Sequence, residues 1–149
     1  MIAQRSVRAH ERGSTLAEFA VVLTASMILI VGIIDLGRAL YAYHFVSNAA
    51  RIATRYASVR GSACTAAGCP ATAASIQTYI RGLAPELNQS QIIVTPTWSS
   101  SSSCAGPPNN APGCTVSIVV SYTFNFAGGP LLPSFPLPIS STSKMNISL

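Results

Sequence analysis

R-G-S-T-L-A-E-F-A-V-V-L-T-A-S-M-I-L-I-V-G-I-I, Arg12 to Ile34, decides the architecture open to this chain. From Leu16 to Ile34 it runs 19 residues, and Glu18, Thr24 and Ser26 are its polar interruptions. As a helix this run is roughly 28 Å long, enough to cross the hydrocarbon core of a bilayer. On its N-terminal side lie Arg5, Arg8 and Arg12 against a single acid, Glu11. Such an excess of positive charge holds the N-terminus in the cytoplasm and sends the remainder outward. Glu18 is placed inside the apolar run, where a charge is costly and normally has a partner or a purpose. A removable secretory signal would need a shorter apolar region ending in small residues. Ala39-Leu40-Tyr41-Ala42 fits that poorly, and Asp35 and Arg38 precede it.

Composition sets outer limits. The chain has 149 residues, sufficient for an anchor and one domain. It is 49% hydrophobic and 9% charged, too apolar for a disordered chain or an ordinary soluble one. The net charge of +5 raises nucleic acid as a partner. Three of the arginines belong to the N-terminal segment, however, and the rest of the chain has no basic patch interleaved with aromatics, so nucleic-acid binding is excluded.

Helical character continues past the apolar run. No proline occurs from Asp35 to Ser58, and Leu36, Leu40, Tyr43, Val46, Ala50, Ala53 and Ala57 recur at three- and four-residue intervals. Asp35 and Arg38 can pair at i,i+3, and Arg51 and Arg55 share a face at i,i+4. Gly61 is the expected stop. A single helix from about Ser14 to Arg60 would be roughly 70 Å long, its first half in lipid and its second half amphipathic. The alanine-rich stripe suits either the chain's own globular part or a neighbouring helix, and both uses can hold at different heights.

Beyond Gly61 the composition turns to Ser, Thr, Pro, Gly and Cys, marking an extracytoplasmic head over residues 61–149. Ile76, Tyr79, Ile80 and Leu83 predict a short amphipathic helix, capped near Thr72 and ended near Gly82. Three strands are expected, over Gln91–Trp98, Thr115–Phe124 and Ile139–Leu149, with Met145, Ile147 and Leu149 on one face of the last. Gly128-Gly129-Pro130 would link the last two as an antiparallel pair. The fold class is therefore α+β: a long N-terminal helix, a short extra helix and an antiparallel β-sheet head.

Cys64, Cys69, Cys104 and Cys114 all follow the apolar run, where an oxidising compartment would staple a small head. Four cysteines allow three connectivities. The local pairs, Cys64 with Cys69 and Cys104 with Cys114, are preferred because each flanks a loop containing Pro or Gly. A zinc site is disfavoured, since no C-x-x-C spacing is present and no histidine lies nearby. No catalytic constellation emerges either. Glu18, Asp35 and Glu86 are too scattered for a carboxylate pair, His44 stands alone on the helix, and no G-x-S-x-G elbow occurs. The expectation is a non-enzyme without cofactor or metal.

The junction at Gly13, with a basic leader before it and Glu18 at the fifth position after it, resembles the processing site of type IV prepilins. The resemblance implies a leader over residues 1–13, removed by a prepilin peptidase that cuts between Gly13 and Ser14 and leaves the apolar helix on the mature protein. A second stretch, G-I-I-D-L-G-R-A-L-Y-A-Y-H-F-V-S-N-A-A-R-I-A-T-R-Y-A-S-V, Gly32 to Val59, resembles the TadE-like pilins of the tight-adherence (Flp, type IVb) pilus. The family pattern falls on Asp35, Gly37, Arg38, Asn48, Ala49, Ala50, Arg51, Arg55, Tyr56 and Ala57. Many members carry a proline early in the apolar helix. Thr24-Ala25-Ser26 stands there instead, so no proline kink is expected. The resemblance implies a pilin-like minor pilin or pseudopilin, a single-pass protein of the bacterial inner membrane that later reaches the pilus at the cell surface. Its partners would be major and minor pilin subunits, the prepilin peptidase and the inner-membrane assembly platform. Glu18, Asp35, Arg38, Arg51 and Arg55 are the candidate assembly residues. A stand-alone membrane-anchored binding or sensor domain is the alternative.

Overall fold

The computed structural model describes residues 4–99, 104, 110–127 and 136–148, with side chains from Thr15 onward. Helix α1, Gln4–Ser58, dominates it. Its 55 residues give roughly 80 Å of unbroken helix. It begins ten residues before the expected Ser14, because nothing between Gln4 and Gly13 breaks a helix more strongly than that one glycine. The stretch at Thr24–Ser26 is helical, as expected without a proline. Thr24 and Ser26 donate their hydroxyls to the carbonyls of Ala20 and Val22, both at 2.8 Å. Polar side chains on this segment thus find partners inside the helix, which an apolar surrounding requires.

The C-terminal end departs from expectation. The helix stops at Ser58, two residues short of Arg60, and Gly61 is not among the positive-φ glycines, which are Gly68 and Gly113. Ser58 ends the helix by other means. Its carbonyl accepts from the Ser148 amide at 2.9 Å and the Ser148 hydroxyl at 3.2 Å. A carbonyl left over at the helix end is thereby satisfied by a distant segment.

The structure divides the helix stripe. Ala42, Val46, Ala49, Ala50, Ala53 and Ala57 are buried against the head, whereas Leu36, Leu40 and Tyr43 are exposed. The reason is phase. Three- and four-residue steps fit more than one face, and Leu36 lies about 80° round the axis from Val46 at 3.6 residues per turn. The true lower end of the buried stripe is Asp35.

Helix α2, Ala73–Gly82, begins at a capping box: the Ser75 amide donates to Thr72 Oγ1 at 3.1 Å and the Thr72 amide to Ser75 Oγ at 2.9 Å. Ile76 and Ile80 are buried, while Tyr79 and Leu83 stay largely exposed. Tyr79 stacks on Tyr56 of α1 with centroids 4.5 Å apart, and Arg60 covers the Tyr56 ring at 3.9 Å. This ladder fixes the two helices together.

After a single 3-10 turn at Gln89–Gln91 come β1 (Ile92–Trp98), β2 (Thr115–Phe124) and β3 (Leu137–Asn146), an antiparallel sheet in the order β1-β2-β3. Pro96 is tolerated because β1 is an edge strand. Val116, Ile118, Val120, Tyr122 and Phe124 alternate inward from β2, as the sequence pattern predicts. They meet the alanine ridge of α1, whose small side chains let sheet and helix approach closely. Strand β3 begins two residues earlier than expected and ends at Asn146, since its ladder is bounded by its partner β2. Met145 is exposed at the end of the strand, and Ile147 lies just past it, buried and bonded through its amide to the Cys114 carbonyl at 2.7 Å. Leu149, the stretch expected to link the last two strands at Gly128-Gly129-Pro130, and residues 100–103 fall outside the described residues.

Disulfides join Cys64 to Cys69 and Cys104 to Cys114, with Cα atoms 5.8 Å apart in each. The two loops touch where the Ser62 amide donates to the Asn110 carbonyl at 2.9 Å. Closing such short loops contributes about 2–3 kcal/mol each by loop entropy. Alkylation of the native protein is expected to add no mass without reductant and four groups after reduction. Modification of cysteines in the native state would show that the head matures in a reducing compartment.

Candidate assembly interface

The helix divides at Asp35. Below it, Leu16, Phe19, Val21, Val22, Met27, Ile28, Leu29, Ile33 and Ile34 are exposed on all sides. The helix is long and apolar enough there to cross a membrane. Apolarity around the whole circumference marks a surface made for lipid or for other helices. Glu18 is exposed on this stretch, and among the described residues it makes no ion pair. Gly13 and Ser14 lie within α1, so the peptide bond between them is helical in the full chain.

Asp35 is 5% exposed, and the chain itself uses its carboxylate. The Ala127 amide, just past β2, donates to Oδ2 at 2.9 Å, and Arg38 Nη1 donates to Oδ1 at 3.2 Å. The residue therefore pins the base of the head to the helix. Arg38 is half-exposed and also lies over the Phe124 ring, 5.6 Å from its centroid. Phe126 meets Phe124 edge-on at 5.1 Å. Arg51 and Arg55 point away from the head, one turn apart and exposed. His44 is exposed and edge-on to Tyr43 at 5.8 Å. No cluster of three or more metal-ligating side chains occurs among the described residues.

Sequence reasoning missed a cleft of about 540 Å³ between the helix and the underside of the head. Ile34, Gly37, Arg38 and Tyr41 form its helix wall, and Glu86, Leu87, Asn88, Tyr122 and Phe124 form the other. No local pattern announces it, because the walls come from segments far apart in the sequence, Ile34 to Tyr41, Glu86 to Asn88 and Tyr122 to Phe124, that only the fold brings together.

No characterised protein and no solved structure matches the chain. Over residues 13–55 it is similar to the family model described as TadE-like protein, a match that covers most of the long helix and stops before the head.

Proposed function

We propose that the protein is a minor pilin of a tight-adherence (Flp-type) pilus. In this reading residues 1–13 are a leader, residues 14–60 the membrane and packing helix, and residues 61–149 an exported head. Prepilin peptidase cuts between Gly13 and Ser14, the N-terminus faces the cytoplasm, and the inner-membrane platform passes the subunit to other pilins. The observation that carries the reading is the unbroken α1, uncovered and apolar below Asp35, over the residues that match TadE-like proteins. It is a structural role with no catalytic step.

The head supports a place at the tip or in the priming complex. A three-stranded sheet, a second helix and two disulfides on every subunit would hold helices apart in a thin shaft. Few copies per filament are expected, with deletion abolishing or strongly reducing piliation while the major pilin is still made and processed. Mass spectrometry of sheared filaments tests this. A ratio near one to one with the major pilin would make it a shaft subunit instead.

Glu18 carries a second expectation. Cleavage would create a positive amine at Ser14, four residues away and within reach of a neighbouring subunit. A charge costs about 2.5–3.5 kcal/mol at the centre of a membrane helix on insertion scales and less near an interface, so pairing Glu18, close to the start of the apolar run, favours assembly. Glu18→Ala is expected to be processed normally while assembled filaments fall by roughly tenfold, the equivalent of about 1.4 kcal/mol. Wild-type piliation would put Glu18 at headgroup depth, solvated and dispensable.

A further inference from the structure

The cleft below the head has no part in the role proposed above, yet its position and charges describe a ligand. It starts at Ile34, the last residue of the apolar run, and its helix wall ends at Tyr41. Those seven steps rise roughly 10 Å along the axis. A bilayer adds roughly 10–15 Å in two headgroup layers to its hydrocarbon core, so one layer is roughly 5–7 Å deep and reaches the level of Arg38, roughly 6 Å above Ile34. The lower part of the cleft thus stands at the level where lipid headgroups would surround the helix.

Two opposite charges line it. Arg38 engages Asp35 through Nη1 alone, and its side chain remains 53% exposed. A guanidinium has five donors and binds phosphate oxygens well. Glu86 is exposed, and among the described residues it makes no ion pair with Arg38 or any other cation. Tyr41, half-exposed, also lines the cleft, and tyrosine is enriched at membrane interfaces. Ile34, exposed at the lower lip, opens the cleft toward the hydrocarbon.

We propose that this cleft binds the headgroup of one membrane phospholipid, with its phosphate on Arg38 and a primary ammonium on Glu86. The ligand class is an ethanolamine phospholipid, whose acyl chains run down past Ile34. The proposal rests on the reading that the helix below Asp35 lies in the bilayer. A choline headgroup offers the same phosphate, but its quaternary ammonium has no N–H to donate to Glu86. A glycerol headgroup offers no cation.

Native mass spectrometry of the full chain in mild detergent, titrated with ethanolamine, choline and glycerol phospholipids of identical acyl chains, tests this. One ethanolamine lipid is expected to be retained about fivefold better than the choline lipid, the gain appropriate to one exposed charged hydrogen bond. Glu86→Gln, a change on an exposed side chain, is expected to erase that preference while lipid is still retained. Equal retention of the three lipids, or a preference untouched by Glu86→Gln, overturns the site; the cleft then holds unselected boundary lipid or a neighbouring subunit's helix. Flotation with vesicles of ethanolamine and glycerol phospholipids separates the two readings. Flotation without a headgroup preference removes the site and keeps the membrane helix. Failure to float removes both.

Discussion

Gly13→Val is expected to leave the full chain uncut in the inner membrane, still carrying Arg5, Arg8, Arg12 and Glu11, and to exclude it from filaments. The physical cause is space and conformation at the scissile bond. The residue before the cut must enter a protease site together with the Ser14 backbone, and the resemblance to prepilins implies a subsite shaped for the smallest side chain. Gly13 lies within α1 in the full chain, so cutting requires the helix to open there. Glycine lowers that cost, because it is about 0.8–1.0 kcal/mol poorer in a helix than alanine. Valine adds a branched β-carbon and stiffens the backbone. Intact mass of the membrane-extracted protein gives the answer. A variant shortened by thirteen residues would defeat the prepilin reading, and a wild-type chain that keeps Met1 would favour a plain anchor.

Phe124→Ala is expected to cost about 3–5 kcal/mol, the usual penalty for emptying a large aromatic site in a core. Phe124 is 2% exposed at the end of β2 and lies where several contacts meet. It carries Arg38 over its ring, takes the edge of Phe126 and closes the cleft. Truncation would leave a void beside the Asp35 junction and remove the surface on which the Arg38 guanidinium rests. Phe126 is 40% exposed and serves as the comparison, expected to lose less than about 1.5 kcal/mol when changed to alanine. Urea unfolding of the full chain in detergent, followed through Trp98 as the single tryptophan, measures both. Equal losses at the two positions would mean that the junction does not depend on Phe124.

Elements with a strong local period were legible in the sequence. The alternation of Thr115–Phe124 carried its own boundaries, and Thr72 announced α2 because a side-chain cap must sit beside its helix. The long helix was legible because neither proline nor a polar run interrupts it. Its face was less so. Leu36 and Leu40 share the spacing of the buried alanines, but the head covers only a sector of the helix, and which sector depends on where β2 ends. The end of α1 was hidden for a similar reason, since Ser58 is satisfied by Ser148 across ninety positions of sequence. Asp35 was marked as a charge of interest, yet its partner Ala127 is a backbone amide, which no sequence pattern displays. The cleft beside it needed the whole fold to exist.

The absence of any break in α1 also has a geometric consequence. A continuous helix transmits azimuth without slack, so the bearing of the head about the helix axis is set by residue count alone. One residue inserted between Ile34 and Asp35 would raise the head by roughly 1.5 Å and swing it by roughly 100° relative to the exposed apolar surface below. Two chains of this kind with equal side chains but different spacing would therefore present their heads in different directions about the same lower helix. The number of residues between Glu18 and Asp35 works as a compass setting.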